Sequence, residues 1–152
     1  MITNIKSALQ KIPEFEGVKT TIIPVRHSEV LIIQRDKLDS HPNLWEFPGG
    51  GVDIDIQNEK DIFSEALREL LEETSLSVKR ISFLGLKSFI NSEGNSHANF
   101  GFIAEIYDLR QVVLSNEHQD YRILGFHQAK TMLFFENQIS FMDDLITTCV
   151  SI

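Results

Sequence analysis

The sequence predicts an α/β fold in which a mixed β-sheet carries helices on its faces, and three observations lead there. Two runs rich in β-branched residues, VKTTIIPVR (18 to 26) and EVLIIQR (29 to 35), precede an amphipathic helical pattern that reaches Thr74. Two longer strand-like runs, VKRISFLGLKSFI (78 to 90) and HANFGFIAEIYD (97 to 108), follow that helix. A further strand pattern and a closing helical pattern complete the chain. Strands on both sides of a central helix require a sheet whose apolar faces are covered by helices.

Taken in order, residues 3 to 11 suit a short helix that ends near Pro13. The polar pair His27-Ser28 separates the first two strand runs, so a hairpin is expected. Pro24, which lacks an N–H, implies a bulge or an edge position. Residues 36 to 53 read mostly as loop, with Pro48 to Gly51 breaking any regular element. From Asn58 or Asp61 to Thr74, the residues Phe63, Ala66, Leu67, Leu70 and Leu71 recur at helical spacing and predict the buried face. Glu65, Glu69, Glu72 and Glu73 fall on the other face, free for chemistry. The segment NSEGNS is a turn between the two long strands, YRILGFH (121 to 127) a strand, and SFMDDLITTCV (140 to 150) an amphipathic helix. There is no internal repeat, low-complexity tract or linker.

A length of 152 residues suits one domain with a substantial core. The net charge of -8 argues against a broad basic surface for nucleic acid. A small anionic ligand is compatible with it if metal ions mediate the contact. The single cysteine, Cys149, excludes an internal disulfide framework and a multi-cysteine zinc site. MITNIKSALQKIPEF lacks the apolar core of a signal peptide, and no apolar run approaches membrane-spanning length, so a soluble cytoplasmic protein is expected. No feature of the sequence speaks to oligomeric state.

The densest charge cluster lies in ALRELLEETSL (66 to 76). On a helix, Glu69, Glu72 and Glu73 share one face, and like charges at that spacing cost about 0.2–0.5 kcal/mol per pair. Arg68 lies four residues before Glu72 and pairs with it at helical spacing, but one guanidinium cannot neutralise three carboxylates. Two readings follow: a solvated acidic face, or a site for a hard divalent cation that takes oxygen ligands.

FPGGGV followed by RELLEETSL resembles the Nudix hydrolase signature, whose general form is G-x5-E-x7-R-E-U-x-E-E-x-G-U with U aliphatic. Arg68, Glu69, Leu70, Glu72, Glu73 and Leu76 fall in register with its helical half. Gly50 and Arg68 stand 18 positions apart, about four more than in the pattern. Lys60 occupies the position of the pattern's first glutamate, with Glu59 its nearest substitute. Ser75 replaces the usual glycine, where a left-handed residue at the helix end would cost about 1 kcal/mol.

The resemblance implies a Nudix-type α/β/α sandwich and a Mg²⁺-dependent (alternatively Mn²⁺-dependent) hydrolase that cleaves the diphosphate linkage of a nucleotide. It implies metal binding by Glu69, Glu72, Glu73 and the backbone of Gly49 or Gly50. The substrate-contacting glycine run is Gly49, Gly50 and Gly51. Glu72, Glu73, Arg68 and a loop glutamate make up the catalytic set, with Arg68 read as orienting the glutamates through ion pairing. Bound Mg²⁺ neutralises phosphoryl charge and activates water, which is the physical reason for such a set. SNEHQDYRILGF offers Glu117 as the loop carboxylate, a metal ligand or general base, with Asp120 its competitor and a solvated loop the plain alternative. His118 is expected to face solvent. Asn137 is either a base-reading residue, as in mutator-type members, or a helix cap or turn residue. Trp45 and Phe47 read as core, with base stacking the alternative. The compact chain and the EHQDYR segment favour a nucleoside triphosphate, oxidised or not, hydrolysed to monophosphate and pyrophosphate. A nucleotide sugar of the ADP-ribose type and a non-catalytic nucleotide sensor are the rivals.

Overall fold

The computed structural model describes residues 1–150. A short helix α1 (Ile5–Gln10) leads through a 3-10 turn into strands β1 (Gly17–Arg26) and β2 (Glu29–Arg35), then β3 (Trp45–Glu46) and β4 (Gly49–Gly51). Helix α2 (Glu59–Thr74) is followed by β5 (Val78–Ile90), β6 (Ser96–Ile106), β7 (His118–Gly125), α3 (Phe126–Met132) and α4 (Glu136–Val150). The sheet is mixed: β1 runs parallel to β6 from Gly17↔His97 to Val25↔Glu105, while β5 pairs antiparallel with β6 and β7 antiparallel with β2.

Alternation along the strands explains the layering. Ile22, Leu31 and Ile33 enter a core with Ile62, Ala66 and Leu70 of α2, whereas Ile23, Val30 and Ile32 enter a second core with Ala129 of α3 and Phe141, Met142 and Leu145 of α4. Successive side chains of a strand point to opposite faces. Consecutive apolar residues such as VLII therefore need helices on both sides, which produces the α/β/α arrangement.

Several sequence expectations are corrected. The β1–β2 hairpin exists, but its register is confined to Val25↔Val30 and Arg26↔Glu29, because the strands diverge to admit β4 beside Lys19 to Thr21. Pro24 is therefore neither at an edge nor at a bulge: it pairs in register with Ala104 in an interior strand. Ile22 N–H donates to the Pro48 carbonyl at 2.8 Å. Two residues further along that edge the donor position falls to Pro24, inside the fork where a missing N–H costs nothing. The glycine run, expected to break structure, forms β4 by borrowing its ladder from β1. Strand β7 begins at His118 rather than Tyr121 and gives way at Phe126 to α3, and α4 begins at Glu136 rather than Ser140.

Helix α2 begins where Asn58 Oδ1 accepts the Asp61 N–H, a side-chain cap. Its apolar stripe is rotated from the expected one. Ile62, Ala66 and Leu70 are fully buried, but Leu67 is 37% and Leu71 60% exposed. Glu65 and Glu73, assigned to the open face, are buried instead. The helix turns its acidic edge inward toward the sheet, so the two leucines on the far flank lose their cover.

Leu70→Ala should cost about 2–5 kcal/mol, whereas Leu67→Ala, at a half-open position, should cost under about 1 kcal/mol, as read by urea denaturation. Equal losses would restore the leucine-centred face. Ser75 ends α2 with φ 57° and an exposed side chain. Ser75→Gly should stabilise the chain by about 1 kcal/mol, raising Tm by about 2–4 °C.

Candidate active site

A cavity of about 340 Å³ opens between the acidic edge of α2, the glycine strand β4 and the start of β7. It is lined by carboxylates of Glu46, Glu69, Glu73 and Glu117, by the cations Lys19 and Arg35, and by His118 and Gln138. Glycine is required at its base. Gly49 has φ 153°, and a Cβ there would collide with the Thr20 carbonyl. At Gly50 a Cβ would stand 3.1 Å from Glu69 Oε2, so the missing side chain lets the backbone and that carboxylate approach each other.

Gly49 N–H donates to Glu73 Oε2 at 2.9 Å. Glu73 is buried and has no cation within ion-pair distance among the described residues. Burial pushes its carboxyl up to about 9; the Gly49 amide opposes this, and the charges of Glu46, Glu69 and Glu117 add to it. Burial also raises the Glu69 carboxyl, partly offset by Arg68. Arg68 is fully occupied: Nη2 bonds Glu65 Oε2 at 2.8 Å and Glu69 Oε1 at 3.0 Å, while Nη1 bonds both oxygens of Glu72. Its hydrogen bonds with Glu65 and Glu72 hold the guanidinium pKa above its ordinary value. Glu72 stands 58% exposed, on Arg68 and off the cavity wall.

On the other wall, Arg35 Nη1 bonds Glu46 Oε1 at 2.9 Å, and its remaining guanidinium nitrogens hold Asp39. Burial lowers the Lys19 ammonium pKa, and Lys19 Nζ lies 5.6 Å from the centre of the Phe135 ring. Phe47 is buried, as its apolar character suggests, and its N–H donates to Gln138 Oε1 at 2.8 Å. Trp45 is half-buried, with the Arg122 guanidinium 5.2 Å from its ring.

The cavity therefore brings together Glu69, Glu73, Glu117 and the glycine run. Asp120 is not on its wall, being paired with Arg122 at 2.7 Å. Asn137 also lies off the wall, accepting from Asn99 at 3.4 Å, whereas its neighbour Gln138 is buried at the cavity. His118 departs most from expectation. It is buried, bonded through Nε2 to Glu46 Oε2 at 2.8 Å, because β7 starts three residues early and carries it into the sheet. Sequence reasoning also missed Lys19, Arg35 and Glu46, each on a strand separate from the signature. Their only sequence signal was charge within strand-like runs, β-branched around Lys19 and Arg35 and aromatic around Glu46.

Glu73, Glu117 and His118 each present a donor atom, all within 4.8 Å of one another, a group that can hold a metal ion. The donor set fits a divalent cation: carboxylates crowd together, one of them buried without a counter-ion, beside a backbone cleared of side chains. A family model of the NUDIX domain matches residues 17–145, and the chain belongs to the Nudix family of hydrolases. No curated protein matches the chain. Among solved structures it is similar to the Escherichia coli ORF135 protein (TM-score 0.70, 18% identity, covering 89% of this chain and 91% of that one). It is also similar to a Caenorhabditis elegans Ap4A hydrolase in a binary complex (TM-score 0.69, 17% identity, covering 91% and 99%). The NUDIX domain of Shewanella oneidensis NrtR, complexed with ADP ribose, is a third (TM-score 0.66, 16% identity, covering 88% and 86%). These likenesses agree on the fold; the second protein is named for Ap4A and the third is complexed with ADP ribose.

The Glu73 carboxyl gives a pH prediction. Folded and metal-free it keeps its proton up to about 9, while in the unfolded chain it releases it near 4.5. The folded state thus binds more protons between those values. The stability this group contributes is full at the acid end and is lost as pH rises toward about 9. Denaturation in EDTA across that range should show stability falling with pH, and Glu73→Gln should flatten the fall. A parallel curve in the variant would assign the pH dependence to other groups.

Proposed function

We propose that this chain hydrolyses the diphosphate linkage of a nucleoside triphosphate, releasing monophosphate and pyrophosphate with Mg²⁺ as the working cation. The observation that carries the reading is the buried Glu73 carboxylate, lacking a counter-cation and packed between Gly49 N–H and the carboxylates of Glu69 and Glu117. Such a cluster is unfavourable alone and becomes favourable around a divalent ion.

Glu69, Glu73 and the Gly49 or Gly50 carbonyl would hold the cation. Glu72 would join them on leaving Arg68, an exposed ion pair worth only about 0–1 kcal/mol. The cation, when bound, supplies charge neutralisation at the phosphoryl oxygens and an activated water. Glu117, exposed at the cavity mouth, is placed to accept that water's proton. Arg68 positions Glu69 and Glu72 rather than touching substrate. Lys19 and Arg35 give the same cavity its positive wall, suited to the phosphates that the metal does not cover. A volume of about 340 Å³ lies near the lower end of the roughly 300–1,000 Å³ common for ligand pockets. That size supports a mononucleotide over a dinucleoside polyphosphate or a nucleotide sugar.

The test is release of phosphate and pyrophosphate from nucleoside triphosphates, oxidised nucleotides, dinucleoside polyphosphates and nucleotide sugars, each with Mg²⁺ and with EDTA. Metal-dependent pyrophosphate release from a triphosphate is expected, with Glu73→Gln and Glu117→Gln each lowering turnover about 10²–10⁴-fold. Turnover of nucleotide sugars alone would replace the substrate assignment. Nucleotide binding without turnover of any compound would replace the enzyme by a sensor.

A further inference from the structure

His118 lies outside the signature, yet its side chain is only 3% exposed and lines the cavity beside Glu73 and Glu117. Its Nε2 is 2.8 Å from Glu46 Oε2, and the other oxygen of Glu46 is held by Arg35 Nη1 at 2.9 Å. A carboxylate paired with arginine is an acceptor, so in the neutral ring it places the imidazole proton on Nε2 and leaves the lone pair on Nδ1. That nitrogen is buried and has no hydrogen-bond partner. A buried polar atom without a partner is unusual in a folded protein. Here it belongs to a ring whose donor atom comes within 4.8 Å of those of Glu73 and Glu117.

Metal-bound histidines commonly donate their second ring N–H to a carboxylate, which fixes the tautomer and raises the basicity of the ligating nitrogen. Arg35, Glu46 and His118 form that relay, built from β2, β3 and β7. We propose that His118 is a nitrogen ligand of the divalent metal, bound through Nδ1 alongside Glu73, with Glu117 close by as the proton acceptor, and oriented by Glu46. All the side-chain donors of the signature helix are oxygens and suit Mg²⁺. One imidazole among them moves the preference toward Mn²⁺, Co²⁺ and related borderline ions. This inference rests on the carboxylates being a metal site, and the experiment separates the two.

The full chain is loaded with Mn²⁺, with binding followed by loss of the free-ion EPR signal, and pulsed EPR then reads nitrogen coupling to the bound ion. The expected result is a ¹⁴N modulation typical of directly coordinated imidazole, replaced by ¹⁵N coupling when only histidines are labelled and absent in His118→Asn. Co²⁺ affinity should fall about 10–100-fold in Glu46→Gln, with Mg²⁺ affinity changed far less. Should His118→Asn fail to fold, the labelled unmutated chain carries the test, because His118 is the histidine on the cavity wall. Bound Mn²⁺ without nitrogen coupling, or coupling that survives in a folded His118→Asn, overturns the ligand and leaves the carboxylate site standing. No Mn²⁺ binding overturns both.

Discussion

Glu73 sits where α2 meets β4, and the hydrogen bond it accepts from Gly49 joins the acidic edge of the helix to the glycine strand. That contact sets the rotation of α2, because a helix that buries Glu73 and Glu65 must expose Leu67 and Leu71 on its opposite flank. It also fixes the glycine run, which closes against the Thr20 carbonyl at a distance no side chain permits at Gly49 and packs tightly on Glu69 at Gly50. A carboxylate in this setting is costly when charged, and the local structure lowers that cost only partly through one backbone amide. The fold thus maintains a place that a divalent ion would stabilise.

Arg68 answers the puzzle of so many glutamates on one helix. Its guanidinium spans Glu65, Glu69 and Glu72, using its fork of donors on three carboxylates together. Glu73 is left out of that network. The helix therefore carries two electrostatic populations, an arginine-bound set running from buried Glu65 to exposed Glu72 and a carboxyl group without a cation partner buried toward the sheet.

The facing wall is organised by the same device with different residues. Arg35 grips Glu46 and Asp39, Glu46 in turn orients His118, and Lys19 approaches the Phe135 ring. Lys19, Arg35, Glu46 and His118 come from β1, β2, β3 and β7 and Asp39 from the loop after β2, and the divergence of β1 from β2 lets them share one cavity. The interior proline at position 24 belongs to the same design, since it stands where the fork leaves no acceptor to satisfy.

Much of this was legible in the linear chain. Alternating and continuous apolar runs located most of the strands, because a sheet covered on both faces needs apolar residues at consecutive positions. Three- and four-residue spacing located α2 and its carboxylates, because those neighbours share a face whatever the helix packs against. The glycines and the REXXEE pattern marked the site for a similar reason: close backbone approach and shared helical position are local properties. The rotation of α2 was decided only in three dimensions, since its flanks look equally amphipathic until the sheet chooses between Leu67 and Glu73. The glycine run became a strand because β1 offered it a ladder. His118, read as a solvent-facing loop residue, was drawn inside because β7 begins early and Glu46 lies across from it. Sequence determined which residues could do chemistry; tertiary pairing decided which were buried together, because burial and charge proximity depend on distances between segments far apart in the chain.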